Sequence, residues 1–192
     1  MNKDINIILA SGSPRRQELL KLLYCDFEVI PADIDENVPD TCDVYNVAET
    51  LAVKKAMAIK NESSLVIGCD TVVISDNNIL GKPENSQQAF KMLSSLSGKS
   101  HHVVTGVCLC YNGKSYSFKE ITKVEFYPLT DEEISAYIMT GECKDKAGAY
   151  GIQGLGSLFV KGIEGDFYNV VGLPVSRLRH EIKRFLKIAQ TD

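Results

Sequence analysis

The chain opens on a short apolar run, residues 5–10, that breaks at once into the small-residue turn Ser11-Gly12-Ser13. A run of that length bounded by a turn predicts a buried strand. Ser13 followed by Pro14 predicts a helix start: serine suits the N-cap, and the first helical position has no use for the N–H that proline lacks. The helix is expected to continue through Leu19, Leu20, Leu22 and Leu23. A second strand is predicted over 27–30, then an acidic, proline-bounded loop over 32–41, then a helix over 44–60 with Val47, Leu51 and Ala58 facing inward. Short strands at 65–68 and 71–74 are expected on either side of Cys69-Asp70, with a turn over 75–78. Helical spacing returns over 84–96, where Ala89, Met92, Leu93 and Leu96 are apolar. Strands over 103–111 and 114–127 flank Asn112-Gly113, a strong hairpin signal. Thr130 is expected to cap a helix over 131–139 that Gly141 ends. A strand near 158–163 follows, and the closing helix runs from Pro174 with Val175, Leu178, Ile182, Phe185, Leu186 and Ala189 on one face.

This order mixes βα units with an antiparallel hairpin, which predicts an α/β fold built on a mixed, twisted sheet with flanking helices. The 192 residues suit one domain, and if it has two lobes the segments around 84–140 are expected in the second. Hydrophobic residues make up 44% and charged residues 24%, so neither disorder nor a coiled coil is indicated. The net charge of -4 argues against a surface that tracks a nucleic-acid backbone, while leaving room for a local basic pocket that takes a small anion. The run over 5–10 is too short for a signal-peptide core and nothing later approaches a membrane span, so a soluble cytoplasmic protein is expected. In that setting the six cysteines are expected to be reduced and structural. Cys108 and Cys110 form a C-x-C pair with no second pair and no nearby histidine, a poor zinc signal.

Several segments carry candidate chemistry. Ser11-Gly12-Ser13-Pro14-Arg15-Arg16 places a turn, a helix N-terminus and two guanidinium groups together, all of which favour phosphate; a capped helix with solvated arginines is the plainer alternative. It is not a Walker A loop, and the glycine spacing of residues 151–156 is not that of a dinucleotide fingerprint. Asp70, at the end of an apolar strand, is suited to hold a metal or accept a proton, or simply to bond a turn. Lys82, Lys54, Lys55, Glu36 and Asp145 could complete a site, or be solvated charges. His101 and His102 alternate to opposite faces of a strand, which disfavours a shared metal.

Taken together the segments resemble the Maf family of nucleotide pyrophosphatases. The resemblance rests on L-A-S-G-S-P-R-R-Q-E-L-L at 9–20, K-K-A at 54–56, G-C-D-T-V-V at 68–73, G-K-P at 81–83, D-K-A-G-A-Y-G-I-Q-G at 145–154 and N-V-V-G-L-P at 169–174. It implies a fold like that of inosine triphosphate pyrophosphatases, with a nucleotide cleft between two lobes. It implies hydrolysis of dTTP and UTP, with CTP or modified pyrimidine nucleotides as further candidates, to the monophosphate and pyrophosphate. A role in cleaning nucleotide pools and a link to cell-division arrest come with the family. By the same resemblance Asp70 takes the proton acceptor's position, and Glu36, Lys55 and Lys82 join it as catalytic groups. Ser11, Arg15, Arg16, Thr71, Asp145 and Gln153 match substrate-binding positions, with Arg15, Thr71 and Gln153 linked to substrate choice. A divalent cation, magnesium or manganese, is implied on Asp70 and Glu36. The expected partners are the nucleoside triphosphate and, as an option, a second copy in a homodimer, with no nucleic acid and no membrane. The alternatives are a nucleotide-binding regulator of septum formation and a 7-methyl-GTP pyrophosphatase; the latter branch typically carries glutamate where Gln153 stands.

Overall fold

A computed structural model describes residues 5–39, 41–59 and 61–189. The chain forms seven strands and six α-helices among these residues. In order they are β1 (Asn6–Ala10), α1 (Pro14–Leu20), β2 (Glu28–Val29), α2 (Val47–Ala58), β3 (Ser64–Ser75), β4 (Asn78–Leu80), α3 (Ser86–Leu96), β5 (Ser100–Tyr111), β6 (Lys114–Phe126), α4 (Asp131–Met139), β7 (Val160–Glu164), α5 (Phe167–Val171) and α6 (Val175–Ala189). The strands lie in the order β2-β1-β3-β5-β6-β7, with β4 added to β3. β1 is parallel to β2 and to β3, whereas β3–β4 and β6–β7 are antiparallel. The sheet is therefore mixed, as the alternation of βα units and a hairpin predicts.

Two compact units divide the chain. Unit 1 holds residues 1–70, 105–120 and 172–192, and unit 2 holds 71–104 and 121–171. Of the stretch expected in a second lobe, residues 84–104 and 121–140 fall in unit 2 and residues 105–120 in unit 1.

In unit 1, α2 is set very close to the sheet. The helix expected over 44–60 is a 3₁₀ turn at Val44–Asn46 followed by α2, and Lys60 lies outside the described residues. Of the expected inward positions Leu51 is buried, together with Ala48, Ala52 and Ala56, while Val47 is half-buried and Ala58 exposed. Close approach explains the alanines at 48 and 52. A Cβ on Gly68 would stand 2.2 Å from the Ala52 carbonyl oxygen, and one on Gly106 would stand 2.3 Å from that of Ala48. Backbone packs on backbone at these two points, so only alanine fits at Ala48 and Ala52 and only glycine fits the strand opposite. Ile8, Ala10, Ala52, Ala56, Val66 and Cys108 form the resulting core cluster.

The expected break between two short strands at Cys69-Asp70 does not occur. β3 runs unbroken for 12 residues, with burial falling only at Asp70 and Thr71. Ladder bonds explain the continuity: β1 pairs with Ser64–Gly68 and β4 pairs with Val73–Ser75, so the polar pair stands between two neighbours. Other departures are small. α1 stops at Leu20, and β4 and the short α5 were not anticipated. The hairpin turn has φ +51° at Asn112 and +70° at Gly113, as two-residue primed turns require. α4 carries a full Thr130/Glu133 capping box.

Candidate active site

In unit 1 the order β2-β1-β3 puts β1 between two parallel neighbours, so successive connections leave it in opposite directions. Open α/β sheets bind ligands at the carboxyl ends of strands flanking such a reversal. β1 ends at Ala10, which pairs with Gly68 of β3. The residues that follow on the two strands are the Ser11 turn and Cys69-Asp70.

Asp70 has a side chain only 14% exposed. Lys55, from the last turn of α2, donates from Nζ to Asp70 Oδ1 at 2.6 Å and to Glu36 Oε1 at 2.8 Å. Burial works against the Lys55 charge, but the two carboxylates outweigh it and hold its pKa above the ordinary lysine value. Glu36 itself is 62% exposed, on the acidic loop. Its neighbours are fixed by Lys54, whose Nζ bonds the carbonyls of Asp35 at 3.3 Å and Asn37 at 2.6 Å. Adjacent lysines on one helix thus divide the labour. Lys54 anchors the loop backbone, and Lys55 joins two carboxylates 34 residues apart.

The Ser11–Arg16 segment is built differently from the simple capped turn. Ser13 occupies the N-cap position, yet its side chain makes no capping bond, and its N–H instead reaches Ser11 Oγ at 3.4 Å. Ser11 is buried. Arg16 donates from Nη1 to Ser11 Oγ at 3.0 Å and to the Cys69 carbonyl at 2.9 Å, and from Nε to the Gly172 carbonyl at 3.0 Å. The buried Cys69 thiol bonds that same Gly172 carbonyl at 3.3 Å. Arg16 therefore clamps the turn to β3 and to the segment before α6, which also gives the N-V-V-G-L-P run a task. Nothing in the sequence marked the carbonyls of Cys69 and Gly172, because every residue carries one. Arg15 sits half-buried in the first turn of α1.

The other expected site residues, Thr71, Lys82, Asp145 and Gln153, belong to unit 2. Thr71 follows Asp70 on β3 and is half-buried, while Lys82, Asp145 and Gln153 are exposed. Within the unit, the Gly148 N–H donates to the Gly81 carbonyl at 3.1 Å, which ties the Asp145–Tyr150 segment to Gly81-Lys82-Pro83. Asp145 adopts φ +58°, a conformation uncommon outside glycine.

A divalent ion is a reasonable occupant of the Asp70–Glu36 pair. Both carboxylates already converge on one cationic centre, the Lys55 ammonium. Magnesium asks for one or two carboxylates and leaves the rest of its oxygen shell to water and substrate phosphates. Among the described residues no cluster of three or more His, Cys, Asp or Glu gathers around a metal position.

The family profile described as Maf-like protein matches residues 6–185. The chain belongs to the Maf family. It is 50% identical over 181 residues to a protein of Bacillus cereus (strain AH187) named dTTP/UTP pyrophosphatase, covering 93% of this chain and 95% of that protein. A Bacillus anthracis protein of the same name is 49% identical over 181 residues, with the same coverage. Among solved structures, a HAM1 protein from Coxiella burnetii is similar over 94% of this chain and 100% of that one, with a TM-score of 0.51 and 15% identity. At that identity the Maf chain and the HAM1 protein share a fold, which agrees with the expected α/β class. No helix of the described residues is long and apolar enough to cross a membrane.

Proposed function

We propose that this chain hydrolyses dTTP and UTP at the α–β phosphoanhydride bond, releasing the nucleoside monophosphate and pyrophosphate. The observation that carries the reading is the Glu36–Lys55–Asp70 cluster beside the carboxyl end of β1, where Ala10 pairs with Gly68 of β3. The relatives named dTTP/UTP pyrophosphatase, which match nearly the whole chain, supply the substrate class.

The chemistry follows from charge. A triphosphate carries about four negative charges that repel an incoming hydroxide, so positioning and electrostatic neutralisation are the work the protein must do. Lys55 keeps a full positive charge beside Asp70 and orients its carboxylate through Oδ1. The second oxygen, Oδ2, accepts a proton from the attacking water; the water oxygen bonds the α-phosphorus, and the bond to the bridging oxygen breaks as pyrophosphate leaves. Arg16 holds the Ser11 turn rigid, so that its small residues and the helix start present their donors to phosphate without reorganisation. Lys82 neutralises phosphate charge, and Arg15 takes part in substrate choice. Asp70 and Glu36 are the residues that would hold a magnesium or manganese ion, which would supply further neutralisation and make bound water more acidic; Asp70 would then bind the metal instead of accepting the proton. Thr71, Asp145 and Gln153 contact the nucleoside, with the Gln153 amide offering both a donor and an acceptor to the N3–H and carbonyl edge of uracil or thymine. The six free thiols support a reducing, cytoplasmic setting.

The test is pyrophosphate release from a panel of nucleoside triphosphates, with and without magnesium or manganese. The expected result is release from dTTP and UTP ahead of 7-methyl-GTP and the purine nucleotides, abolished by chelation. Diphosphate and orthophosphate as primary products would overturn the reading, since attack would then fall on the γ-phosphorus.

A further inference from the structure

The glycine spacing of Gly151-Ile152-Gln153-Gly154-Leu155-Gly156 is not that of a dinucleotide fingerprint, and the three glycines need another cause. Unit 2 supplies it. The Glu142 carboxylate accepts the N–H of Leu155 on Oε2 at 2.8 Å and the N–H of Gly156 on Oε1 at 3.1 Å. The hydroxyl of Tyr137, near the end of α4, donates to Glu142 Oε1 at 3.1 Å and accepts the N–H of Gly151 at 3.1 Å. Both ends of the run are therefore fastened to one Tyr137–Glu142 pair. The glycines are what lets the backbone come so close. A Cβ on Gly154 would stand 2.4 Å from Glu142 Oε2, one on Gly151 2.7 Å from Lys146 Cε, and one on Gly156 2.7 Å from the Gly151 carbonyl oxygen. Tyr137 is only 4% exposed, so the clamp has a fixed base. Between the fastened ends Ile152 turns inward, and Gln153 stands exposed at the crest.

We infer that Glu142, with Tyr137, is a positioning residue for nucleotide selection: it holds the 151–156 loop in one conformation and so fixes where the Gln153 amide is presented. This rests on the proposal that Gln153 reads the pyrimidine. A side-chain amide on a loose loop samples many positions and discriminates poorly, whereas a loop pinned at both ends offers donor and acceptor at a set spacing. Charge-assisted bonds are the strong kind, and three converge on this one carboxylate, two of them from the loop.

The experiment measures kcat/KM for UTP and for GTP in wild type, Glu142→Gln, Gln153→Ala and the double variant. Glu142→Gln keeps one oxygen but sets an NH2 group against a backbone N–H, so one of the two loop bonds becomes a donor–donor clash. The UTP/GTP ratio is expected to fall about tenfold, through KM for UTP more than through kcat, because Asp70 and Lys55 are untouched. Gln153→Ala should lower the ratio at least as far, and adding Glu142→Gln to it should lower it no further, since the clamp would have nothing left to position. Equal and additive losses in both backgrounds would show that Glu142 only supports the fold, and would overturn the inference, as would an unchanged ratio in Glu142→Gln. An unchanged ratio in Gln153→Ala would instead overturn the base-reading role itself. Should Glu142→Gln fail to fold, Tyr137→Phe removes only the hydroxyl and carries the same expectation at about threefold.

Discussion

Replacing Gly68 by alanine sets one methyl group against the backbone of α2. The added Cβ would meet the Ala52 carbonyl oxygen at 2.2 Å, the Ala56 nitrogen at 2.7 Å and the Ala56 Cβ at 2.8 Å. Two of the three are backbone atoms, so no side chain can swing aside. Restoring an ordinary separation needs the helix to retreat by at least about 1 Å. Overpacking of this kind costs about 1–3 kcal/mol, and each kcal/mol lowers the thermal midpoint of a chain this long by roughly 2–4 °C. The functional effect should exceed the stability effect. Lys55 lies on α2 between Ala52 and Ala56, and Asp70 lies two residues beyond Gly68 on β3, so the retreat opens the 2.6 Å bond between them. A displacement of about 1 Å in a catalytic constellation can cost about a hundredfold in rate. The assay pairs a thermal melt with pyrophosphate release from UTP. Gly162→Ala serves as control, because a Cβ there meets nothing within 4 Å; it should stay within about 0.5 kcal/mol of wild type. A Gly68→Ala protein with wild-type midpoint and turnover would refute the claim that backbone contact between α2 and β3 sets the Lys55–Asp70 geometry.

Asp70→Asn keeps the shape of the side chain and removes its charge and basicity; turnover of UTP should fall by at least about a hundredfold with far-UV circular dichroism unchanged. Near-normal turnover would move the base to another residue, Glu36 first. Gln153→Glu should lower kcat/KM for dTTP and UTP by roughly five- to a hundredfold, the cost of one mispaired buried hydrogen bond of about 1–3 kcal/mol, and raise relative acceptance of 7-methyl-GTP; the ratio of specificity constants for UTP and 7-methyl-GTP reads it. His101 concerns stability and pH. Burial, and secondarily the neighbouring His102, push its pKa down to about 4, so the folded state resists a proton that the unfolded chain accepts below about 6.5. Its stabilising effect is complete above that value and is lost as pH falls toward 4, on the order of 2 kcal/mol between pH 7 and pH 5. His101→Gln leaves Tyr150 a partner for the 2.8 Å bond to its hydroxyl. Urea midpoints at the two pH values should differ less in that variant than in wild type, and an equal difference would clear His101 of the effect.

Features that rest on neighbouring residues were legible in the sequence. Asn112-Gly113 announced a hairpin because both turn residues need positive φ, which asparagine and glycine tolerate best. Thr130 and Glu133 cap α4 within a single turn, and the closing helix repeats its apolar residues every three or four positions, so Val175, Leu178, Ile182, Phe185 and Ala189 were found buried as expected. The family resemblance, too, is a property of local strings, and it pointed to Asp70, Glu36 and Lys55. What the sequence could not supply is how distant segments meet. In α2 Leu51 was found buried as expected, but the alanines at 48 and 52 were missed, because the glycines that admit only alanine there, 58 and 16 positions away, leave no trace in the helix's own pattern. Cys69-Asp70 looked like a break between two short strands because the neighbours that carry β3 across it, β1 on one stretch and β4 on the next, are chosen by tertiary pairing. The clamp made by Arg16 could not be read because two of its acceptors are backbone carbonyls, at Cys69 and Gly172, and a carbonyl carries no sequence signature. Glu142 went unremarked for the mirror-image reason: its partners are backbone N–H groups 13 and 14 residues on. Side-chain type is written in the sequence, but the backbone is the same at nearly every position, so contacts made to it become visible only when the chain has folded.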